Sequence, residues 1–462
     1  MGKLLCISYR FAPETYPLAI RVDNFVKHLS NSFEIEAITA AEDAQAPDNV
    51  NTHHVKPRVP TRMIRRLRKL RLGKLVPFLF WPDMFLFWIW PAYKKAKALI
   101  KANRPDAIVV FMMPYSQGLV GILLKRKFGI PLILNLNDSP TCSSLHPVFP
   151  SRLHFYLAKK LESLYIRSAD AIVYVSKQNL DRLKADVPSA TRDRMHLIRR
   201  GAPTVQLDTL PEKKDNNLHI VYGGGMGGWY AFTEPEKPSF AKRMYTAWEQ
   251  LGTYRLVKLD HRSHSPVYLG LAIKQLIERK PEWKGRITLD IYGNKYPMPL
   301  VNQVLQQHGI EDLVNINGVL PHKEVLQKVF GADALFMALP ERNDGSPDAR
   351  ISAKTYEYLM SERPIIAGLS MGENTRFLSR FDGVHIVSPR DVDAMETAIE
   401  NLATRFFAGE SLKANRSQHF DALGVPKKAR DFEAVVRHAM APDTYPRPDT
   451  EAEETPQVSA TA

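Results

Sequence analysis

A chain of 462 residues exceeds what one ordinary hydrophobic core accommodates and suits two large domains. Its 44% hydrophobic and 24% charged residues are those of a folded soluble chain and exclude a low-complexity or collagen-like one. Lysine and arginine outnumber acids by 63 to 49, and the resulting +14 favours anionic partners such as nucleic acid, acidic lipid or phosphorylated substrates.

The chain opens on MGKLLCISYRF, whose apolar run is too short for a secretory signal and reads as a first buried strand. The two cysteines, Cys6 and Cys142, form no metal-ligand pattern and no disulfide framework, which points to a reducing, cytoplasmic setting. Further β-rich runs follow at Glu34–Thr39, Ala107–Met112, Pro131–Leu136, Ala171–Ser176 and Met195–Arg199. A second set lies at Leu218–Gly223, Arg286–Tyr292, Val314–Gly318, Ala334–Leu339, Pro364–Gly368 and Val384–Ser388. Helical stretches alternate with these runs, the pattern of parallel α/β sheets. The predicted organisation is therefore α/β: a Rossmann-like domain over 1–205, a polar linker over 206–217, and a second Rossmann-like domain over 218–405. C-terminal helices are expected over 406–440, and a disordered tail rich in Pro, Thr, Glu and Ala over 441–462.

Within the first half, residues 58–74 carry eight Arg or Lys and no acid. Met63, Ile64, Leu67 and Leu70 recur there at helical spacing, which predicts a basic amphipathic helix. It runs into LVPFLFWPDMFLFWIWP, residues 75–91, which Pro77, Pro82, Asp83 and Pro91 interrupt and which is short for crossing ~30 Å of hydrocarbon. The segment 58–91 is expected to lie on an anionic membrane surface. A solvated basic helix followed by a buried aromatic segment is the alternative.

Four loops follow predicted strands, where open α/β sheets bind ligands. They are YRFAPETYPLAIR (9–21), MPYSQ (113–117), LNLNDSP (134–140) and YGGGMGGW (222–229). In the last, Gly223, Gly224, Gly225 and Gly227 let backbone N–H groups approach a phosphate. The loop is not GxxxxGK[ST], and no acidic residue ends a following strand at an NAD fingerprint's distance. LPERNDGSPDAR (339–350) has turn composition, with Asp344, Ser346 and Arg350 as turn-formers or ligands. It leads into ISAKTYEYLMSERPIIAG (351–368), a helix running into a strand. Ser352 and Lys354 fall in the first turn, where free N–H groups and the helix dipole attract an anion, and Thr355 follows. Lys354 and Glu357 share a face, so a phosphate at the helix start and a ribose at the carboxylate make a nucleotide-sugar site. From spacing alone an ordinary surface Lys–Glu pair explains the same residues. The histidines show no HExxH and the serines no GxSxG, which argues against a zinc enzyme or a hydrolase elbow.

The segment 351–368 resembles the donor-site helix of retaining GT-B glycosyltransferases of the family 4 type, through Lys354, the Glu357-Tyr358-Leu359 run and the Arg363–Gly368 strand. Pro82, Asp83, Trp88 and Ala92, then Pro105 and Asp106, resemble an arrangement in bacterial surface-polysaccharide transferases of that type. The earlier of two family glutamates is replaced by Ala349. The resemblance implies two Rossmann-like domains with parallel sheets facing a central cleft, the last helix crossing back to the first domain. It implies a retaining, hexosyltransferase-like enzyme needing no metal and no cofactor beyond its donor. The donor site would hold Glu357 on ribose, with Lys354, Ser352, Thr355, Gly223, Gly224, Gly225, Gly227 and Arg262 around the diphosphate. A lipid-linked saccharide acceptor would lie near Arg21, Tyr115 and Asp138. Asp138 orients an acceptor hydroxyl or, in an inverting enzyme, acts as a base; a helix cap is its structural alternative. The expected setting is cell-surface polysaccharide biosynthesis, peripheral on the inner face of the cell membrane.

Three other readings remain open at this stage. A nucleotide-sugar epimerase keeps the fold and needs no membrane patch. A catalytically degenerate GT-B protein binding membrane or a partner fits Ala349. Nucleic-acid binding fits the charge, but the cations cluster beside an aromatic apolar stretch and not along a reading module, so no nucleic-acid partner is expected.

Overall fold

The computed structural model describes all residues except 15, 143–147, 203–214, 234–238 and 452–462. Most of the expected linker, 206–214, lies outside the described residues, as does the end of the tail. The chain divides into two compact units. The first comprises 1–200, 239–256 and 425–462, and the second 201–238 and 257–424. Residues 239–256 therefore group with the first unit, which corrects the expectation of one uninterrupted second domain over 218–405.

The first unit is built on a parallel sheet of seven strands: β1 Gly2–Ile7, β2 Phe33–Thr39, β3 Val50–His54, β4 Ala107–Phe111, β5 Leu132–Asn137, β6 Ala171–Tyr174 and β7 Met195–Leu197. Their order is β3-β2-β1-β4-β5-β6-β7. Every residue of β4 and β5 is buried, as both faces of a parallel sheet are covered. Alternate side chains feed two cores, one holding Leu5, Ile7, Ile108, Val110, Leu132 and Leu134, the other Leu4, Cys6, Val109, Phe111 and Ile133. Strand β3, VNTHH, escapes sequence reading because only Val50 is buried; it joins as an edge through main-chain pairing of Ile35 with Val50 onward.

The helix Val425–Met440 belongs to this unit and packs on the first helix, Pro17–Leu29. Phe432 stacks on Phe25 with ring centroids 4.7 Å apart and lies 5.8 Å from Phe111. Burying such a side chain contributes about 2–3 kcal/mol. Residues 441–451, expected to be disordered, instead hold the edge of β7. Leu197 N–H donates to Thr450 Oγ1 at 3.2 Å, Arg447 pairs with Asp193 at 2.8 Å, and Lys177 and Lys184 both pair with Glu451. The segment 58–91 forms two short helices, Thr61–Lys69 and Leu75–Leu79, then a tight turn at Leu86–Trp88. Among the described residues no helix is long and apolar enough to cross a membrane.

The second unit has a parallel six-stranded sheet: β8 Leu218–Gly223, β9 Ile287–Tyr292, β10 Val314–Asn317, β11 Ala334–Ala338, β12 Ile365–Gly368 and β13 Val384–Val387. Its order, β10-β9-β8-β11-β12-β13, is that of a nucleotide-binding doubly wound sheet. The direction of winding reverses between β8 and β11. Ligands bind beyond the carboxyl ends of strands at such a point. The loops that leave these two strands are the glycine loop 223–228 and the loop 339–352.

Candidate functional site

In the second unit, β8 delivers the glycine loop and the loop after β11 delivers the helix Ala353–Met360. Tyr358, buried on the inner side of that helix, accepts a 2.8 Å hydrogen bond from Gly223 N–H and locks helix to loop. Gly224 N–H donates to the Tyr292 carbonyl at 2.5 Å. These two amides are thus committed to the scaffold. The N–H groups of Gly225 and Gly227 carry no hydrogen bond among the described residues, so they are the ones left for an anion. Gly224 has φ +117°, and a Cβ there would meet Lys354 Cε at 2.5 Å. Only glycine gives both that backbone and the space for the lysine. The Lys354 ammonium rests 5.0 Å from the Tyr222 ring centroid and forms no salt bridge among the described residues. A cation with no counter-ion among the described residues, at a helix start beside amides unbonded there, has the chemistry to attract an anion.

One turn on, Glu357 is mostly covered, and its Oε1 lies 2.9 Å from His322 Nε2. That hydrogen bond raises the His322 pKa. His264 is a residue the sequence did not single out. Its Nε2 lies 3.0 Å from Tyr222 Oη, and a Cβ on Gly227 would come within 3.6 Å of its Nδ1. Burial, then the charges of Lys354, His261 and Arg350, lower its pKa to about 4, so the ring is neutral at neutral pH.

The surrounding candidates divide sharply. Ser352 is the N-cap residue of the helix and makes no side-chain cap bond. Arg262 is exposed, and its Nε donates to the Ala231 carbonyl at 2.9 Å. Thr355 is a correction: its side chain is fully buried and donates to Asn374 Oδ1 at 2.8 Å. One residue beyond Lys354 turns the helix by about 100°, onto the inner stripe with Leu359. In the loop 339–350, Asp344 accepts from Ser346 Oγ at 2.6 Å and pairs with Arg342, and those bonds lower its pKa to about 2. Arg350 pairs with Asp348. These three are turn-formers bonded to their neighbours.

In the first unit, the loops after β1, β4 and β5 are joined by side chains. Asp83 accepts from Ser116 N–H at 2.9 Å and Ser116 Oγ at 2.7 Å, which fixes the Tyr115–Gln117 turn. Tyr9 N–H donates to Gln117 Oε1 at 2.8 Å. Tyr115 Oη donates to the Asp138 carbonyl at 3.2 Å, and the Asp138 carboxylate lies 3.4 Å from Arg200 Nη2. Asp138 caps no described helix; Ser151 caps the next one. Arg21 is a second correction. Its Nη1 and Nη2 donate to the Arg199 and Ile198 carbonyls at 3.1 and 2.9 Å, and its guanidinium covers the Phe25 ring at 4.6 Å. It clamps the first helix to the end of β7 and is not an open ligand group.

Residues 18–206 match the model of Glycosyltransferase Family 4. Solved structures extend the likeness to the whole chain. Sucrose-phosphate synthase from Thermosynechococcus elongatus has a TM-score of 0.58 at 14% identity, covering 96% of this chain and 100% of that one. Anabaena HepE in complex with UDP gives 0.55 at 13%, covering 95% and 100%. A putative UDP-N-acetylglucosamine 2-epimerase from Listeria monocytogenes gives 0.51 at 11%, covering 96% and 98%. At such identities the likeness establishes the GT-B fold. No curated protein matches the chain.

Within the first unit, two buried features carry no role in the sequence reading. The side-chain amides of Asn135 and Asn137, at the end of β5, have no hydrogen-bond partner among the described residues. Glu162 is buried beneath the following loop, where Ser139 Oγ donates to it at 3.1 Å, Tyr174 Oη at 3.4 Å, and Thr141 Oγ1 also bonds. Burial pushes its pKa up to about 7. Neither residue type stands out in an apolar strand or an ordinary helix, so only packing reveals them.

Proposed function

We propose that this protein is a glycosyltransferase that moves a sugar from a nucleoside diphosphate sugar to a saccharide acceptor. The observation that carries the reading is the Lys354 ammonium above Gly224, uncompensated among the described residues, with Glu357 one turn deeper on the same helix. Lys354, the amides of Gly225 and Gly227, Arg262 and the first turn at Ser352 would hold the diphosphate. Glu357 would take the ribose hydroxyls, His322 moving aside. Positive charge fixed where the diphosphate departs stabilises the leaving group, the main electrostatic part of catalysis, and does so without calling on a metal. The family 4 match in the first unit supports a transferase over an epimerase, and the UDP complex of the Anabaena structure supports UDP as the first nucleotide to try.

The acceptor would lie on the first unit beside Tyr115 and Asp138, the carboxylate orienting the incoming hydroxyl. Retention of anomeric configuration follows the family 4 resemblance. The basic, aromatic segment 58–91 supports a lipid-linked saccharide reached from the inner membrane face, in the assembly of a cell-surface polysaccharide.

A thermal-shift screen of the full chain against UDP, GDP, ADP and CMP conjugates tests the donor site, since a ligand of the native state raises its melting temperature. One conjugate class should shift wild type, and Lys354→Ala should erase the shift; no shift with any conjugate would sink the reading. Product analysis by NMR then reads the anomeric outcome. Isomerised nucleotide sugar without transfer would convert the assignment to epimerase.

A further inference from the structure

The helix Phe240–Gln250 poses a packing problem within the first unit. Phe240, Met244, Tyr245 and Trp248, with Leu251 just beyond, recur at helical spacing and line one side, while Lys242, Arg243, Thr246 and Gln250 line the other. A stripe of this kind ordinarily covers a core. Here no residue of the helix is buried, and Phe240, Met244 and Leu251 are 77%, 58% and 64% exposed. Eleven residues make a marginal helix in water without tertiary support. Among the described residues only Arg71 and Lys74 lie against this apolar face, at Tyr245 and Trp248, and Phe240, Met244 and Leu251 stay open.

Its neighbours identify what fits there. Lys74 Nζ donates to the Trp248 carbonyl at 3.0 Å and to the Leu251 carbonyl, and lies 5.1 Å from the Trp248 ring centroid. Arg71 lies 6.0 Å from the Tyr245 ring. The helix is thereby fastened to the end of the basic segment 58–74, with its eight cations and no acid. On its far side, Tyr254–Arg255 pairs antiparallel with Val148–Phe149, just before the helix Arg152–Ser168. These neighbours expose apolar side chains too: Leu70 is 68%, Leu79 59% and Leu153 61% accessible. Aromatic and aliphatic side chains in the open, ringed by Arg and Lys, match the layered chemistry of an anionic bilayer, with acyl chains below and phosphates above. A partner protein's apolar face would leave those cations without counter-charge.

We propose that residues 240–251 form a second membrane-docking element, which sinks Phe240, Met244 and Trp248 into an anionic bilayer beside the basic segment 58–74. This deepens the membrane part of the proposed function and rests on it. The chain then grips the bilayer by charge through one element and by apolar insertion through the other. Two signals together give stable peripheral binding where one gives only reversible contact.

The test is sedimentation of the full chain with vesicles of phosphatidylglycerol and phosphatidylcholine, against phosphatidylcholine alone. Wild type is compared with Phe240→Ser/Met244→Ser/Trp248→Ser and with Arg65→Ser/Arg66→Ser/Arg68→Ser/Lys69→Ser. The apolar triple variant should lose affinity for anionic vesicles by on the order of tenfold or more, with its melting temperature unchanged because the replaced side chains are exposed. An environment-sensitive dye on Met244→Cys, in a Cys142→Ala background, should brighten with anionic vesicles and stay dim with phosphatidylcholine alone. Triple-variant binding equal to wild type, with the basic variant impaired, overturns this inference and leaves the membrane reading standing. Wild type that ignores anionic vesicles overturns both. A dimer in analytical ultracentrifugation that the triple variant abolishes would assign the face to a second copy of the chain and overturn the lipid assignment.

Discussion

Lys354 and Gly224 form a testable pair. Lys354→Met keeps the alkyl stem and deletes the ammonium. Because no salt bridge holds that ammonium among the described residues, stability should change by no more than ~0.5 kcal/mol. A charged hydrogen bond to phosphate is worth about 1.5–3 kcal/mol, so the Kd for the nucleoside diphosphate should rise roughly 10- to 150-fold. Gly224→Ala acts differently. Its Cβ would sit 2.5 Å from Lys354 Cε, at a φ of +117° that side chains rarely adopt. The backbone strain costs about 1–3 kcal/mol of stability, and the lysine, being the flexible partner, is pushed off the loop. If the alanine harms binding through Lys354, the two losses cannot add, and the double variant should bind about as weakly as Lys354→Met alone. Isothermal titration calorimetry of the four proteins gives the affinities, and differential scanning fluorimetry gives the stabilities. An unchanged Kd in Lys354→Met, or fully additive losses in the double variant, would refute the anion seat.

Three further outcomes are expected. Glu357→Ala should weaken donor binding, and in wild type that binding should strengthen as pH rises through the raised His322 pKa, because loss of the His322 proton releases the carboxylate; calorimetry across pH should show the slope, and His322→Asn should flatten it. The Glu162 carboxyl, with its pKa raised to about 7, adds stability that is full below the unfolded value of 4.5 and is lost as pH climbs through about 7, at up to roughly 1.4 kcal/mol per pH unit. Glu162→Gln should therefore flatten the fall in melting temperature between pH 5 and 8, and an unchanged profile would count against the buried site. Arg416 is fully buried and donates to the carbonyls of Asp382 and Arg363; Arg416→Met should orphan both and cost about 2–3 kcal/mol, read as a lower melting temperature with nucleotide affinity unchanged.

The two doubly wound sheets were legible because buried parallel strands write themselves as apolar runs, such as AIVVF of β4 and IIAG of β12. The glycine loop and the Lys354–Glu357 spacing were legible because both are local: backbone freedom and helix periodicity span only a few residues. Strand β3 was not, since VNTHH joins by edge pairing and carries little apolar signal. The fate of residues 441–451 was also hidden, because Thr450 and Glu451 are held by groups on a strand and a helix far away in the chain.

The sequence by itself therefore determined most of the elements, their order and the chemical types gathered after each strand. Tertiary structure alone decided which of those groups are free. It committed the amides of Gly223 and Gly224 to Tyr358 and Tyr292, turned Thr355 inward, and spent Arg21 on two carbonyls. Among the described residues it left Lys354 without a counter-ion and no residue of the helix 240–250 buried. The reason is that a hydrogen bond or a buried contact is a relation between distant residues, and no local pattern in one segment records what the other end will offer.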